Sequence, residues 1–353
     1  MSSVALPRSR LRMSRSLALG GLAVLLGMAA LWSLASGAMD LSLREVCGAL
    51  ARWLGSRALE GDDRVVLMLR LPRVLMAMLV GAGLAVSGAT LQGLFRNPLA
   101  DPVLIGVSSG AALGAVAMIV VGGALIRALP VLFGSFGVAV AAFFGGLAAT
   151  VLLYALGRRR PGVAMLLLAG VAISAIAMAG VGLLTYMAND NQLRDLSFWT
   201  LGSLGGTDWK RLGAVAPLLL VPLLLLPRSA NALNVLLLGE HEAVLLGFRP
   251  ERLKPLLIGL VALAVSAAVA MCGIIGFVGL VVPHLLRLIW GADHRLLLPA
   301  SALGGGTLLT VADTFARTLA APAELPVGVL TAVIGGPFFL WLLLRTRIGE
   351  VPA

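Results

Sequence analysis

The 353-residue chain is 59% hydrophobic and only 12% charged, about half the charged fraction of an ordinary soluble domain. This composition excludes a soluble globular protein and indicates an integral membrane protein. The formal charge of +11 does not indicate nucleic-acid binding, because no basic stripe with interleaved aromatic residues occurs. In a membrane protein an excess of Arg and Lys more often marks the cytoplasmic loops. The long apolar runs do not alternate with polar residues, so they predict an all-α bundle of transmembrane helices and not a barrel.

The first apolar run, residues 17–35, follows a series of arginines. A cleaved signal peptide is the alternative, because residues 35–38 resemble a cleavage site. The run is longer than the usual stretch of about 7–15 apolar residues in a signal peptide, so we expect a retained first span. Residues 1–15 would then form a cytoplasmic basic tail, and the polar stretch 39–64 would be an external loop.

Residues 70–114 predict a tightly packed membrane hairpin. Two apolar runs flank a polar elbow in which Pro98 and Pro102 bracket Asp101. Each run suits the roughly 20 residues that cross a bilayer, and the two prolines enforce a turn. Small residues recur through the first run at spacings of three and four, which lets helix backbones approach closely in lipid.

Further apolar runs bring the prediction to about ten spans, with both termini in the cytoplasm and one permease domain over residues 1–353. A Gly-rich half-helix is expected over residues 196–206, after a polar external loop at 189–195. Residues 228–254 form the longest predicted cytoplasmic segment. The remaining spans are predicted at 72–92, 103–122, 130–156, 163–187, 212–226, 256–273, 277–289, 297–319 and 327–344.

An internal repeat is indicated by three residues that recur at one constant offset. They are Gly88, Pro98 and Gly106, which match Gly273, Pro283 and Gly291. The second predicted span points inward and the seventh outward, so the two halves would be inverted repeats, as in many transporters. Chance similarity between Gly-rich spans is the alternative.

Several absences narrow the function. Neither lysine of the chain, Lys210 or Lys254, stands in a phosphate-binding P-loop motif, so the chain does not bind ATP in that way. Acidic residues are nearly absent from the spans, with Asp313 as the main exception, which disfavours a proton- or sodium-coupled carrier. The three histidines do not cluster in the sequence, and we predict no metal site. Cys47 and Cys272 are expected to be unpaired.

Two other stretches stand out. Arg70 and Arg73 lie at the predicted outer start of the second span, where the helix dipole and the charge bias of membrane proteins both disfavour cations. A functional role for these two arginines is therefore favoured over snorkelling of their side chains to the membrane surface. Residues 238–247, in the long cytoplasmic segment, are typical of a short amphipathic interfacial helix.

These stretches together resemble the FecCD-type permeases of ABC importers for iron chelates, haem and cobalamin. The resemblance rests on the Arg-Leu-Pro-Arg stretch that begins at Arg70, on the elbow after Asn97, and on Gly-Val-Ser-Ser-Gly from Gly106. It continues in Gly-Phe-Val-Gly from Gly276 and covers residues 17–344. It implies a type II ABC importer permease, which is a transport subunit and not an enzyme.

The resemblance also implies site residues. ATPase coupling would fall to the Gly-Glu-x-x-Ala-x-x-Leu-Gly stretch, with Leu238, Gly239, Glu240, Ala243, Leu246 and Gly247. Docking of a periplasmic binding protein would fall to Arg70, Arg73 and Arg317, and the cytoplasmic gate would comprise Gly162, Val163 and Ala164. Trp199 and Trp209 resemble the family's outer half-helix and following loop, although an interfacial aromatic belt is the alternative.

The implied assembly lies in the bacterial inner membrane. It is a homodimer with two ATPase subunits, which bind ATP and Mg²⁺ in place of this chain, and with a periplasmic binding protein. Residues 192–199 are most similar to haem permeases, so haem is the expected substrate. A ferric siderophore or cobalamin is the alternative, and a secondary carrier without an ATPase is the rival from another class.

Overall fold

The computed structural model describes residues 14–37, 39, 41–56, 61–102, 106–123, 128–130, 134–159 and 163–345. In this part of the chain it contains fifteen α-helices and no strand. The first eight are α1 (Arg15–Ala35), α2 (Leu43–Leu54), α3 (Gly61–Arg64), α4 (Leu71–Leu94), α5 (Val107–Val121), α6 (Gly137–Arg159), α7 (Val163–Met187) and α8 (Asp190–Leu201). The others are α9 (Trp209–Leu225), α10 (Ala230–Leu236), α11 (Glu240–Leu245), α12 (Pro250–Cys272), α13 (Val278–Trp290), α14 (His294–Thr318) and α15 (Val327–Arg345).

The prediction of about ten membrane helices is confirmed. Among the described residues, seven helical stretches are long and apolar enough to cross a bilayer, and they coincide wholly or largely with α1, α4, α6, α7, α9, α12 and α14. Three shorter apolar helices, α5, α13 and α15, complete the set. A π-helical turn, Val65–Arg70, joins α3 to α4, so that the helical path into α4 is continuous from Gly61.

Helix α4 is the centre of the bundle. Of its most apolar stretch, 78% is buried, against 22% for α1 and for α7. It packs mainly against α14 and also against α9, α12 and α13, while α5 packs against α6 and α7. The peripheral helices therefore leave apolar faces for lipid or for another chain.

Glycines allow α4 to touch its neighbours through main-chain atoms. A Cβ at Gly81 would overlap the carbonyl of Gly305 in α14, and one at Gly88 would overlap the carbonyl of Gly279 in α13. Such contact is how helices gain packing energy in lipid, where no hydrophobic effect drives them together. The small residues of the predicted hairpin thus serve the close packing that their spacing indicates.

The outer half-helix differs from its prediction. Helix α8 begins at Asp190, inside the stretch predicted as a loop, and ends at Leu201. A capping box causes the early start: Asn189 accepts from the backbone of Gln192, whose side chain accepts from the backbone of Asn189. The helix stops at Gly202, whose φ of +71° few other residues adopt.

Two of the three residue pairs that indicated the repeat are not structurally equivalent. Gly88 lies inside α4, whereas Gly273 follows the last residue of α12. Pro98 lies in the elbow after α4, whereas Pro283 lies within α13. The second and seventh spans, α4 and α12, still run in opposite directions if each span crosses the membrane, as inverted repeats require. The constant offset, however, does not align them.

Candidate functional site

At the start of α4, Arg73 binds two carboxylates from distant parts of the chain. Its Nε and Nη2 donate to Asp313 of α14 at 2.9–3.1 Å, and its Nη1 donates to both oxygens of Glu324 at 2.9 and 3.0 Å. Asp313 is almost completely buried, whereas the Glu324 side chain is 46% exposed. Arg73 therefore has one buried and one solvent-facing acidic partner.

Arg70 and Arg317 lie beside this pair but use their donors inside the protein. Arg70 is buried and donates to the carbonyls of Leu34 and Ala35 at the end of α1 and to that of Met39 beyond it. Arg317, also buried, donates to the carbonyl and hydroxyl of Ser33 and to the carbonyl of Ser36. Its Nε lies 3.4 Å from Asp313. We call this set the arginine cluster; it comprises Arg70, Arg73, Asp313, Arg317 and Glu324.

The three arginines predicted to dock a binding protein thus do lie together. Two of them, Arg70 and Arg317, fasten the end of α1 to α4 and α14, and their docking role stays a prediction. Sequence reasoning assigned no role to Asp313 or Glu324. The i,i+4 spacing of Asp313 and Arg317 was the available signal for a helical ion pair, and no local pattern indicated that Glu324 would pair with Arg73.

The residues predicted for coupling form a short, well-defined helix. Gly239, with φ +140°, precedes α11, and Gly247, with φ +84°, follows it. The N–H of Phe248 donates to the carbonyl of Ala243 and that of Gly247 to the carbonyl of Val244, the two bonds of a Schellman ending. Ala243 is fully buried, so this side of the helix packs against the bundle.

The helix and its flanking residues expose both polar and apolar side chains, the polar ones being Glu240, His241 and Glu242. We call the exposed apolar side chains the apolar face of α11; they are Leu238 at 67%, Val244 at 58%, Leu245 at 73% and Leu246 at 59%. Loops that face water rarely carry a contiguous apolar patch without a partner that covers it. If residues 228–254 lie in the cytoplasm as predicted, this face is suited to another protein.

Two polar junctions fasten this coupling segment, residues 228–254, to the bundle. Lys254 of α12 pairs with Glu240 at 2.5 Å. At the other junction Asn234 of α10 donates to Asp293 at 2.8 Å and accepts from the backbone N–H of His294 at 2.9 Å. Arg15 of α1 also reaches Asp293, at 2.6 Å. Helix α10 is thereby tied to the start of α14 and to α1.

Asp293 is an ion-pair and hydrogen-bond centre outside the membrane spans. Partial burial raises the pKa of its carboxyl, but the N–H of Arg295, the amide of Asn234 and the charges of Arg15 and Arg295 outweigh this effect. The pKa therefore lies below the ordinary value for Asp. The carboxylate stays ionised at neutral pH and holds its three partners.

The arginine cluster and the coupling segment lie at opposite ends of the bundle. Arg73 is in the first turn of α4, and Gly93 is in its last turn, where it packs against the ring of His294. Twenty residues of helix separate them, which corresponds to about 30 Å. This is the thickness of the bilayer's hydrocarbon core, so the two groups would face opposite sides of a membrane.

The predicted gate lies largely beyond what the structure shows. Gly162 is outside the described residues, and Val163 and Ala164 form the first turn of α7. The gate assignment stays a prediction.

A cavity of about 480 Å³ opens between the ends of α5, α8 and α12 and the starts of α6 and α9. Its lining is mainly apolar and includes Trp199, with Asp195 and Arg211 as its charged residues. Within the described residues, no group of three His, Cys, Asp or Glu could hold a metal ion. Cys47 and Cys272 are both free, as predicted.

Comparison with known proteins decides the family. Residues 24–345 match the FecCD transport family. The chain belongs to the FecCD transport family. As a family member it is a multi-pass membrane permease of the ABC-importer type, as the sequence predicted.

Individual relatives cover nearly the whole FecCD chain. The hemin transport system permease protein of Yersinia pestis is 49% identical over 340 residues, 95% of this chain and 98% of that protein. A vitamin B12 import system permease protein of Shigella boydii is 40% identical over 92% of this chain and 94% of that protein. A cobalamin import system permease protein of Halobacterium salinarum is 45% identical over 79% of this chain and 73% of that protein.

A solved structure has the same fold. It is described as an inward-facing conformation of a metal-chelate type ABC transporter, with a TM-score of 0.81 and 35% sequence identity. The match covers 93% of this FecCD chain and 99% of that chain. The bundle around α4 is therefore the fold of an ABC importer permease.

Proposed function

We propose that this FecCD permease carries haem across the bacterial inner membrane. The observation that carries the proposal is the 49% identity, over almost the full length of both chains, to a hemin permease, compared with 40–45% for the cobalamin permeases. Cobalamin or a ferric siderophore, carried by the same mechanism, is the alternative. The mainly apolar lining of the cavity suits a large, flat, largely apolar chelate, whose metal already has its own ligands.

We infer that two copies of the chain form the pathway. Helix α7 supports this inference, because it leaves large apolar side chains exposed along its length, among them Ile176 at 71%, Leu183 at 65% and Tyr186 at 89%. The cavity lies within one chain, next to α8, and would be one half of a path completed by the second copy. Gly162, Val163 and Ala164, at the entrance to α7, would form the gate at its cytoplasmic end.

The coupling segment would bind the ATPase subunits on the cytoplasmic side. The exposed apolar face of α11 and the nearby carboxylate of Glu240 support this assignment. ATP and Mg²⁺ would be bound by those partner chains. Closure of the ATPase pair would push α11, and the Asn234–Asp293 junction would pass the displacement to α14.

The arginine cluster would face the periplasm, where a binding protein delivers the substrate. Its three guanidinium groups exceed its two carboxylates, so it carries one net positive charge and attracts acidic side chains. Both chain termini would lie in the cytoplasm.

Uptake by a purified permease–ATPase complex in liposomes tests the proposal. The complex receives its binding protein loaded in turn with haem, a ferric siderophore and cobalamin, and ATP hydrolysis is measured with the uptake of each. We expect ATP-dependent uptake of haem. Uptake of another chelate alone would overturn the substrate and keep the mechanism. If no ATPase co-purifies with the permease, the proposed assembly with ATPase subunits is overturned and ATPase-independent transport is favoured.

A further inference from the structure

The outward face of Arg73 is already occupied in this chain. Its Nη1 donates to both carboxylate oxygens of Glu324, at 2.9 and 3.0 Å, while its other two nitrogens bind the buried Asp313. An arriving acidic side chain would therefore find none of the three guanidinium nitrogens vacant.

The other two arginines offer no easier contact. Arg70 and Arg317 are 6% and 8% exposed, and both donate to acceptors at the end of α1. Releasing them would leave buried carbonyl groups of Leu34 and Ser33 unpaired, which is expensive. Releasing Nη1 of Arg73 from Glu324 is inexpensive, because the Glu324 carboxylate is 46% exposed and can return to water.

We propose that Glu324 is a placeholder for the docking carboxylate. In the undocked permease it occupies Nη1 of Arg73, and an acidic side chain of the binding protein replaces it at that atom. The proposal rests on the docking role given to the arginine cluster above. It makes Arg73, alone among the three arginines, the direct contact, and it assigns Arg70 and Arg317 to holding α1 in place.

The position of Glu324 connects this exchange to the cavity. It lies in the segment between α14 and α15, and its Oε2 lies 3.4 Å from where a Cβ on Gly205 would stand. Gly205 lines the cavity. At the start of α15, Gly328 packs against the carbonyls of Leu201 and Ile274. Displacing Glu324 would thus free a segment that borders the cavity only when a partner has docked.

The affinity of the binding protein for the permease–ATPase complex in lipid nanodiscs tests the exchange. The probe is the haem-loaded binding protein that supports uptake in liposomes, and the variants are Glu324→Gln and a control, Glu45→Gln. Glu45 is an exposed acid of α2 at the same end of the bundle, and its carboxylate accepts from the N–H and the hydroxyl of Ser42 in its own capping box. Both variants remove one negative charge from this end.

We expect Glu324→Gln to tighten binding about two- to fivefold, the range that an exposed ion pair supports, and Glu45→Gln to change it much less. Arg73→Lys supplies the second arm of the experiment. The lysine keeps the charge beside the buried Asp313, so the fold is retained, but it cannot hold a second carboxylate through a guanidinium fork. It should weaken docking and remove the advantage of Glu324→Gln.

The possible failures are distinguishable. Unchanged or weaker binding by Glu324→Gln, with weaker binding by Arg73→Lys, would overturn the exchange and leave the docking site intact. If Glu324→Gln tightens binding equally in the Arg73→Lys background, or if Glu45→Gln tightens it as much, the effect is one of general charge. Either result would also overturn the exchange. If Arg73→Lys binds like the wild type, docking at the cluster itself is wrong, and the exchange fails with it.

Discussion

The arginine cluster and the coupling segment lie at opposite ends of α4. They differ in how far their charged and apolar side chains are paired or buried within this chain. In the cluster nearly every charged group has a partner from this chain, and Asp313 is 1% exposed. In the coupling segment Glu240 and Asn234 are paired, but Leu238 and Leu245 are 67% and 73% exposed. In the arginine cluster every charged group is paired within the chain and Glu324 alone is largely exposed, whereas the coupling segment presents an exposed apolar surface.

This difference teaches how each end would recognise another protein. A site of satisfied charges binds by exchange, so its affinity is a small difference between old and new ion pairs. A site of exposed leucines binds by burial, so its affinity grows with the apolar area removed from water. Docking at the cluster should therefore be reversible and sensitive to salt, and docking at the coupling segment should be persistent.

Asp313→Ala should have the largest effect, because it tests whether the cluster is part of the folding core. Two guanidinium groups, those of Arg73 and Arg317, would lose their buried counter-charge. Breaking a buried ion pair from one side costs about 3–5 kcal/mol. Thermal unfolding in detergent should show a large loss or no folded protein. Asp195→Ala, an exposed acid of α8, is the control and should melt like the wild type; similar melting of both variants would contradict a structural role for the cluster.

Glu240→Lys tests the other end. Lysine would repel Lys254, with which Glu240 now pairs at 2.5 Å, and would place the wrong charge beside the apolar face of α11. We expect haem uptake in liposomes to fall to background while the variant still folds. The control is Glu251→Lys, the same charge change at an exposed site in the first turn of α12. Normal uptake by Glu240→Lys would remove Glu240 from the coupling contact.

Gly93→Ala probes the junction between α4 and the coupling segment. The added Cβ would overlap Nε2 of His294, a buried ring held by Asn234. Overpacking of this kind costs about 1–3 kcal/mol, so the melting temperature should fall. Gly259→Ala in α12, where a Cβ meets nothing within 4 Å, should instead stabilise the helix by about 0.5–1 kcal/mol. If Gly93→Ala also stabilises the protein, the junction has space for the added methyl group and the predicted overlap is wrong.

The smallest effect is expected from acid. The pKa of Asp293 is below its ordinary value in the folded protein, so its contribution to stability is present above the ordinary pKa and is lost as the pH falls through the lowered one. Because the side chain is 40% exposed, the contribution should be below about 1 kcal/mol. Unfolding of Asp293→Asn and of the wild type at pH 7 and near pH 3 measures it; the gap between the two proteins should narrow in acid. A gap independent of pH would assign the stabilisation to groups other than this carboxylate.

Much of the fold could be predicted because lipid demands long apolar helices. The span predicted at 163–187 is the observed Val163–Met187, since Pro161 and Asn189 bracket it. The start of α8 was missed because polar residues suggested a loop, although the capping pair of Asn189 and Gln192 was visible. A helix outside the hydrocarbon core can consist largely of polar residues, so polarity alone does not identify a loop there.

The candidate site was less predictable. Arg70 and Arg73 could be singled out because they break local preferences, and α11 because it fits a short motif. Their partners could not be found, since Arg73 lies 240 residues from Asp313 and 251 from Glu324 in the chain. Pairings over such separations follow from helix packing, and one sequence contains no local pattern that reports them. The burial of Arg70 and Arg317 could therefore not be predicted from the sequence.

The main-chain contacts of α4 have a mechanical consequence. Where Gly81 meets Gly305 and Gly88 meets Gly279, the helices touch through main-chain atoms, which cannot change rotamer to absorb a shift. Close-packed interiors of this kind have low compressibility and transmit strain. Helices α4, α13 and α14 should then move as one rigid body. A displacement imposed near His294 should therefore reach Arg73 and Asp313 almost undiminished.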